Sequence, residues 1–255
     1  MRQHMWWVAF WVGVMLVGAA GVLASVNSAR FGRRVARDAD ALAAASSGIA
    51  PPPRAELSSL PAPVRRYLVL AVGEQNRTIA RVRLRHGGVF RPSLKGSWLP
   101  IRGEQYFNAN PPGFVWWGRV RIAPGIWIDA RDRSVNGAGS MLVTLESTAT
   151  LSDSKGAELD QGALLRLLGE VAWFPTAFLD SRYIRWLPLD DRHATATLEV
   201  NRRSVSAQFA FGSEGLPSTF SAERYRDIGG GKSVLTPFIG RLRDYRRVEG
   251  VLVPY

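Results

Sequence analysis

The sequence predicts an α+β fold. It reads as a curved antiparallel sheet of about eleven strands, half a barrel, with two short helices over its concave face and a transmembrane helix ahead of it. Three observations point there. Strand-like runs alternate polar and apolar residues and are joined by connections shorter than parallel crossovers need. Two other stretches repeat apolar residues at helical spacing. Trp6 to Val26, "WWVAFWVGVMLVGAAGVLASV", is 21 residues without a charge. A single antiparallel sheet of this many strands has to curl or close.

Residues 1–29 read as the anchor. The uncharged run is long enough for a hydrocarbon core of roughly 30 Å. Trp6 and Trp7 stand where an interfacial aromatic pair belongs, and Arg30, Arg33, Arg34 and Arg37 close the other end. A cleaved signal peptide ending near "VLA" is the rival, but its apolar region would be unusually long. The four arginines favour a cytoplasmic domain. Residues 30–56 read as a basic juxtamembrane segment and a linker, with "SSGIAPPPRAELSSLPAP" from Ser46 to Pro63 setting the rest off the membrane. Residues 57–255 form the β-rich domain.

Within the domain, Pro61 to Val72 carries Val64, Leu68 and Ala71 on one helical stripe. Five strands are expected over Thr78 to Phe90, Ser97 to Asn108, Gly113 to Ile122, Gly125 to Val135 and Gly139 to Leu151. "NANPPG" and "NGAG" turn the chain between them. A second helix spans about Leu159 to Phe174, where Pro175 stops it. Leu164, Leu165, Leu167, Leu168, Val171 and Ala172 form its broad apolar stripe. Arg166, Gly169, Glu170 and Trp173 fall opposite. A tryptophan is costly to leave wet, so this second face is expected to be covered too, with Glu170 paired to an arginine or to backbone amides. Six runs follow: Arg182 to Pro188, Ala194 to Val200, Ser204 to Phe211, Ser218 to Tyr225, Phe238 to Arg246 and a stub at Val251 to Val253. "GGGK" at Gly229 to Lys232 reads as a hairpin turn.

Several of these segments together resemble one bacterial family. They are "LPAPVRRYL" at Leu60, "GEQYFNANPPGFVWWG" at Gly103, "LLRLLGEVAWFPTAFL" at Leu164, "RWLPLDD" at Arg185 and "FIGRLRDYRRVEGVLVP" at Phe238. In order and wording they are similar to domain-of-unknown-function family 6544, with its relative 6920, from about Leu57 onward. The resemblance implies a membrane segment at the amino end and brings no activity, substrate or catalytic residue. Members continue past this "VP" with a further strand, so the last hairpin is expected to lack its partner. The element order is also similar to the LolA/LolB lipoprotein carriers, half-barrels that hold acyl chains. That analogy favours an extracytoplasmic domain, against the charge count, and fold alone does not give function.

No cofactor and no metal is expected. The chain has no cysteine and only three histidines, far apart. It shows no dinucleotide or phosphate-loop signature and no GxSxG elbow. The net charge of +12 is nearly all arginine, Lys95, Lys155 and Lys232 being the only lysines. Those arginines are spread along the chain, as on solvated strand faces, so nucleic acid is not an expected partner. The expected partners are the membrane and a lipid or other apolar small molecule in the half-barrel. The expected ligand-binding residues are Trp116, Trp117, Trp127, Trp173 and Glu170. Trp116 and Trp117 are adjacent in a strand and must face opposite ways, so one of them is surplus to the core. A scaffolding domain at the membrane is a second reading. A hydrolase using carboxylates from Asp129, Glu170, Asp190 and Asp191 is a third, and it requires two of them in one cleft.

Overall fold

The computed structural model describes residues 2–45, 56–73, 78–92, 95–229 and 232–255. Helix α1 (Arg2–Ala44) is unbroken, and its residues from Trp6 are long and apolar enough to cross a membrane. Most of the expected linker, residues 46–55, lies outside the described residues. Helix α2 (Ala62–Val72) begins with proline at its first turn, as a missing amide hydrogen allows there, and ends at Gly73, whose φ of 61° suits glycine.

Six strands then form a meander: β1 (Arg81–Phe90), β2 (Leu99–Ala109), β3 (Pro112–Ala123), β4 (Ile126–Val135), β5 (Ala138–Leu145) and β6 (Ala149–Ser154). Asn136 and Gly137, both at positive φ, make the tight β4–β5 turn. The run expected as one strand over Gly139 to Leu151 is two, because Glu146 and Ser147 also take positive φ and reverse the chain. Helix α3 (Ala157–Glu170) follows, with 3-10 turns at Val171–Trp173 and Pro175–Leu179. The second sheet is again a meander: β7 (Ile184–Pro188), β8 (His193–Val200), β9 (Arg203–Phe211), β10 (Pro217–Gly229) and β11 (Lys232–Arg241). β10 and β11 pair as the hairpin expected at "GGGK", its tip outside the described residues. β12 (Arg246–Val248) and β13 (Val251–Val253) pair with each other as a separate two-stranded sheet, and among the described residues no further strand joins that hairpin.

The α+β class therefore holds, with every strand pair antiparallel and neither sheet closed. The strands divide into six and five with a terminal hairpin instead of running as one sheet. The division falls at α3, whose length frees β7 from pairing with β6. α3 is packed by β3, β4 and β5 on one side and by β8, β9 and β10 on the other. That explains its stripe: Leu164, Leu165, Leu167, Leu168, Val171 and Ala172 are all at most 1% exposed. Each such leucine contributes about 1.5–3 kcal/mol by leaving water. Phe107, Phe114, Phe178, Phe209 and Tyr67 complete this core.

A second, smaller core lies on the outer face of the first sheet. Phe31, Val35 and Leu42 of α1 pack there on Val115 and Leu142, with Trp117 at the edge. The carboxyl half of α1 is thus part of the folded body, although its sequence shows no apolar stripe that would announce it.

Candidate functional site

The first sheet presents different chemistry on its two faces. On the inner face, Arg166 of α3 reaches three acceptors: Nε to Glu170 Oε1 at 2.9 Å, Nη1 to Asp132 Oδ2 at 2.8 Å and Nη2 to Gln105 Oε1 at 3.0 Å. Gln105 Nε2 closes the ring by donating to Glu170 Oε2 at 2.7 Å. The guanidinium lies 4.9 Å from the Phe114 ring centroid and 5.2 Å from that of Trp116. Trp116 in turn donates from Nε1 to His86 Nε2 at 2.8 Å, the two rings lying edge to edge within 6° of parallel. Accepting at Nε2 leaves the His86 proton on Nδ1. Burial, with Arg166 nearby, holds His86 below its usual pKa, so the imidazole is neutral.

The motif "GEQYFNANPPGFVWWG" owes its two end glycines to this pair of rings. Gly103 and Gly118 are register partners on β2 and β3. A Cβ on Gly118 would stand 2.5 Å from the Trp116 ring, and one on Gly103 would stand 2.5 Å from His86 Nε2. The glycines form the floor on which Trp116 and His86 lie flat.

Beside this network a groove of about 960 Å³ runs along β1. Its opposite wall is the β12–β13 hairpin with Pro254 and Tyr255, and Val72 and Trp173 also line it. Val82 and Leu84 present apolar surface from β1, while Arg81, Arg83 and Arg85 stand on the exposed side of the same strand. Arg83 and Arg85 share Glu104. β1 is the outer strand of its sheet, and among the described residues no further strand pairs with its far edge.

Of the five residues expected to bind ligand, only Trp173 lines the groove. Its indole donates to Pro254 O at 3.0 Å and packs on Phe107. Trp116 stands behind the groove, joined to it through His86. Glu170 belongs to the Arg166 network, so its face is covered and paired as the helix pattern predicts. Trp117 and Trp127 lie on the outer face, towards α1. Trp117 packs on the second core and Trp127 donates to Asp129 Oδ2 at 2.9 Å under Arg119. Neither member of the Trp116–Trp117 pair is therefore surplus to packing, because α1 supplies the second apolar layer. His86, Gln105 and Asp132 were missed in the sequence, where nothing marks that their strands align them beside Arg166.

The four carboxylates proposed for hydrolysis do not converge. Asp129 is on the outer face with Arg119, Glu170 is on the inner face, and Asp190 and Asp191 are both exposed in one turn, where Asp190 holds His193 and two backbone amides. Among the described residues no group of His, Asp or Glu is arranged to hold a metal ion.

Glu170 permits a direct test. One arginine serves two carboxylates here, and burial pushes the Glu170 carboxyl above its ordinary 4.5 despite Arg166 and Gln105. Glu170→Gln keeps an acceptor for one donor and turns an amide towards the other, a loss of about 1–3 kcal/mol near neutral pH. A raised folded pKa contributes stability that is complete below the unfolded value and is lost as pH rises through the folded one. The melting-temperature gap between wild type and Glu170→Gln should therefore be wider in acid and narrow as pH climbs above 4.5. A gap that widens with pH would mean that the ion pair outweighs burial.

No curated protein and no solved structure matches the chain, so the likeness to the LolA/LolB carriers gains no support. Residues 51–255 match the model of one family, described as a family of unknown function, DUF6544.

Proposed function

The chain belongs to this family of unknown function, and from that premise we propose that it is a membrane-anchored binding module whose groove along β1 takes a lipid or another amphipathic small molecule. The groove carries the reading. Its volume of about 960 Å³ is at the upper end of ligand-sized cavities. Val82, Leu84, Trp173, Val251 and Val253 offer an apolar lining, and the arginine row on β1 suits an anionic headgroup. The anchor holds such a site at the source of its ligand. The arginines after the apolar run favour a cytoplasmic domain.

Native mass spectrometry of the full chain, extracted in mild detergent, should show adducts of phospholipid or fatty-acid mass. Val251→Trp, which fills the groove from the terminal hairpin, should lower that occupancy several-fold. Extracted protein without adducts, or occupancy unchanged by Val251→Trp, would overturn this use of the groove. A second reading, a docking module for an extended peptide, is favoured by one observation, the open edge of β1. It predicts protection of β1 amides by a partner peptide and no lipid adduct.

A further inference from the structure

α1 and β3 run side by side, and their contacts fix where the domain stands relative to the apolar run. Arg119 Nη2 donates to Ser28 Oγ at 2.8 Å, and Leu42 lies over Gly113. Between these contacts the helix rises about 21 Å and the strand about 20 Å, so the two are close to antiparallel. Continuing along β3 past Arg119, Ile122 lies about 10 Å further on, level with about residue 21 of the helix. The apolar run extends to Val26, and Ala24 is already buried against the domain. This end of the six-stranded sheet therefore reaches about 7 Å inside the stretch that would cross the bilayer.

The same end carries a rim of uncovered apolar side chains. Val89, Phe90, Trp98, Ile122, Ile126 and Leu151 are 41–61% exposed and sit at or beside the β1–β2, β3–β4 and β5–β6 turns. Single exposed apolar residues are ordinary, but six gathered where a transmembrane helix enters are a contact surface. Basic residues flank them. Arg91 lies 4.9 Å over the Trp98 ring and Arg121 is exposed beside Ile122. Tryptophan with arginine above an apolar rim is the composition of a bilayer interface.

We infer that this end of the first sheet is seated in the interfacial layer of the membrane that α1 enters, the apolar rim against acyl chains and Arg91 and Arg121 against phosphates. The inference rests on the reading of α1 as an anchor. It also places the groove, because its β1 wall ends at Gly87, two residues before the rim, so that a lipid would enter from the bilayer side.

The chain contains no cysteine, which allows single-cysteine variants of the full chain to carry a fluorophore. Trp98→Cys, Ile122→Cys, Leu16→Cys and Ala138→Cys would be labelled and reconstituted in phosphatidylcholine–phosphatidylglycerol vesicles with brominated acyl chains. Labels at 98 and 122 should be quenched several-fold, as at 16 within the apolar run. The label at 138, at the opposite end of the sheet, should keep its intensity. Quenching at 16 alone would overturn the seating of the rim and leave the anchor standing. No quenching at 16 would remove the anchor and the inference with it.

Discussion

Arg166→Met should cost the fold about 3–5 kcal/mol, because it leaves two carboxylates inside without their cation. Asp132 is 3% exposed, and one of its oxygens has no hydrogen-bond partner among the described residues. Losing Arg166 removes the other oxygen's partner as well. Glu170 would keep only the Gln105 amide. For a body of this size that loss corresponds to a fall in melting temperature of about 10 °C. Arg166→Lys should recover little, since an ammonium cannot reach three acceptors in the planar fork the guanidinium uses. The triple change Arg166→Met, Glu170→Gln, Asp132→Asn should recover most of it, because the cost comes from stranded charge and not from lost attraction. Scanning calorimetry on the three proteins separates these terms. A melting temperature unchanged in Arg166→Met would mean that the network is open to water and structurally idle.

The parts of this site that were legible in the sequence are those carried by one element. The Arg166–Glu170 pair lies four residues apart on one helix, and the six-residue apolar stripe of α3 needs only helical geometry to read. Asp132, Gln105 and His86 could not be joined to them in the same way. Their meeting depends on strand register, in which Gln105 opposes Trp116, Trp116 opposes Asp132 and His86 opposes Gly103. A one-residue slip would turn each of them to the other face. Glu146 and Ser147 show a different limit. Neither has glycine's freedom at positive φ, so an alternating run around them reads as one strand until the chain is seen to reverse there. The docked half of α1 was hidden in a third way. Its inward positions are Ala24, Ser28, Phe31, Val35, Asp38 and Leu42, spaced alternately by four and three residues as in a helix lying along a partner. One is small and two are polar, so the period is present while the hydrophobicity that would reveal it is not.

Asp38 in that stripe is where the union of α1 with the domain should break most easily. Its carboxylate receives Arg131 Nη1 at 2.7 Å and Arg133 Nη1 at 3.0 Å across the outer face of β4. The Arg131 side chain is 10% exposed and that of Asp38 is 17% exposed, which makes this a largely desolvated triad. Burial already holds the Arg131 pKa below its ordinary value, with Asp38 acting against that and Arg133 and Arg34 adding to it. Among the described residues Asp38 is the one carboxylate that pairs with both arginines, so Asp38→Asn leaves like charges side by side under the helix. The expected cost is towards the lower end of about 3–5 kcal/mol, since water can still reach one side. It should appear first as release of α1 from the sheet, because the cluster of Val115, Leu142 and Trp117 is completed by that helix and, among the described residues, by no side chain of the second sheet. Hydrogen exchange should therefore speed up in the α1 amides from Phe31 to Leu42 while the α3 amides stay protected. Adding Arg131→Met to Asp38→Asn should restore part of the protection, giving a favourable coupling between the two sites in a double-mutant cycle. If Asp38→Asn leaves exchange across α1 unchanged, the helix is held by Phe31, Val35 and Leu42 alone and the triad contributes nothing to the docking. If wild-type α1 already exchanges as fast as a free helix, the docking itself is wrong, and the seating of the sheet at the membrane falls with it.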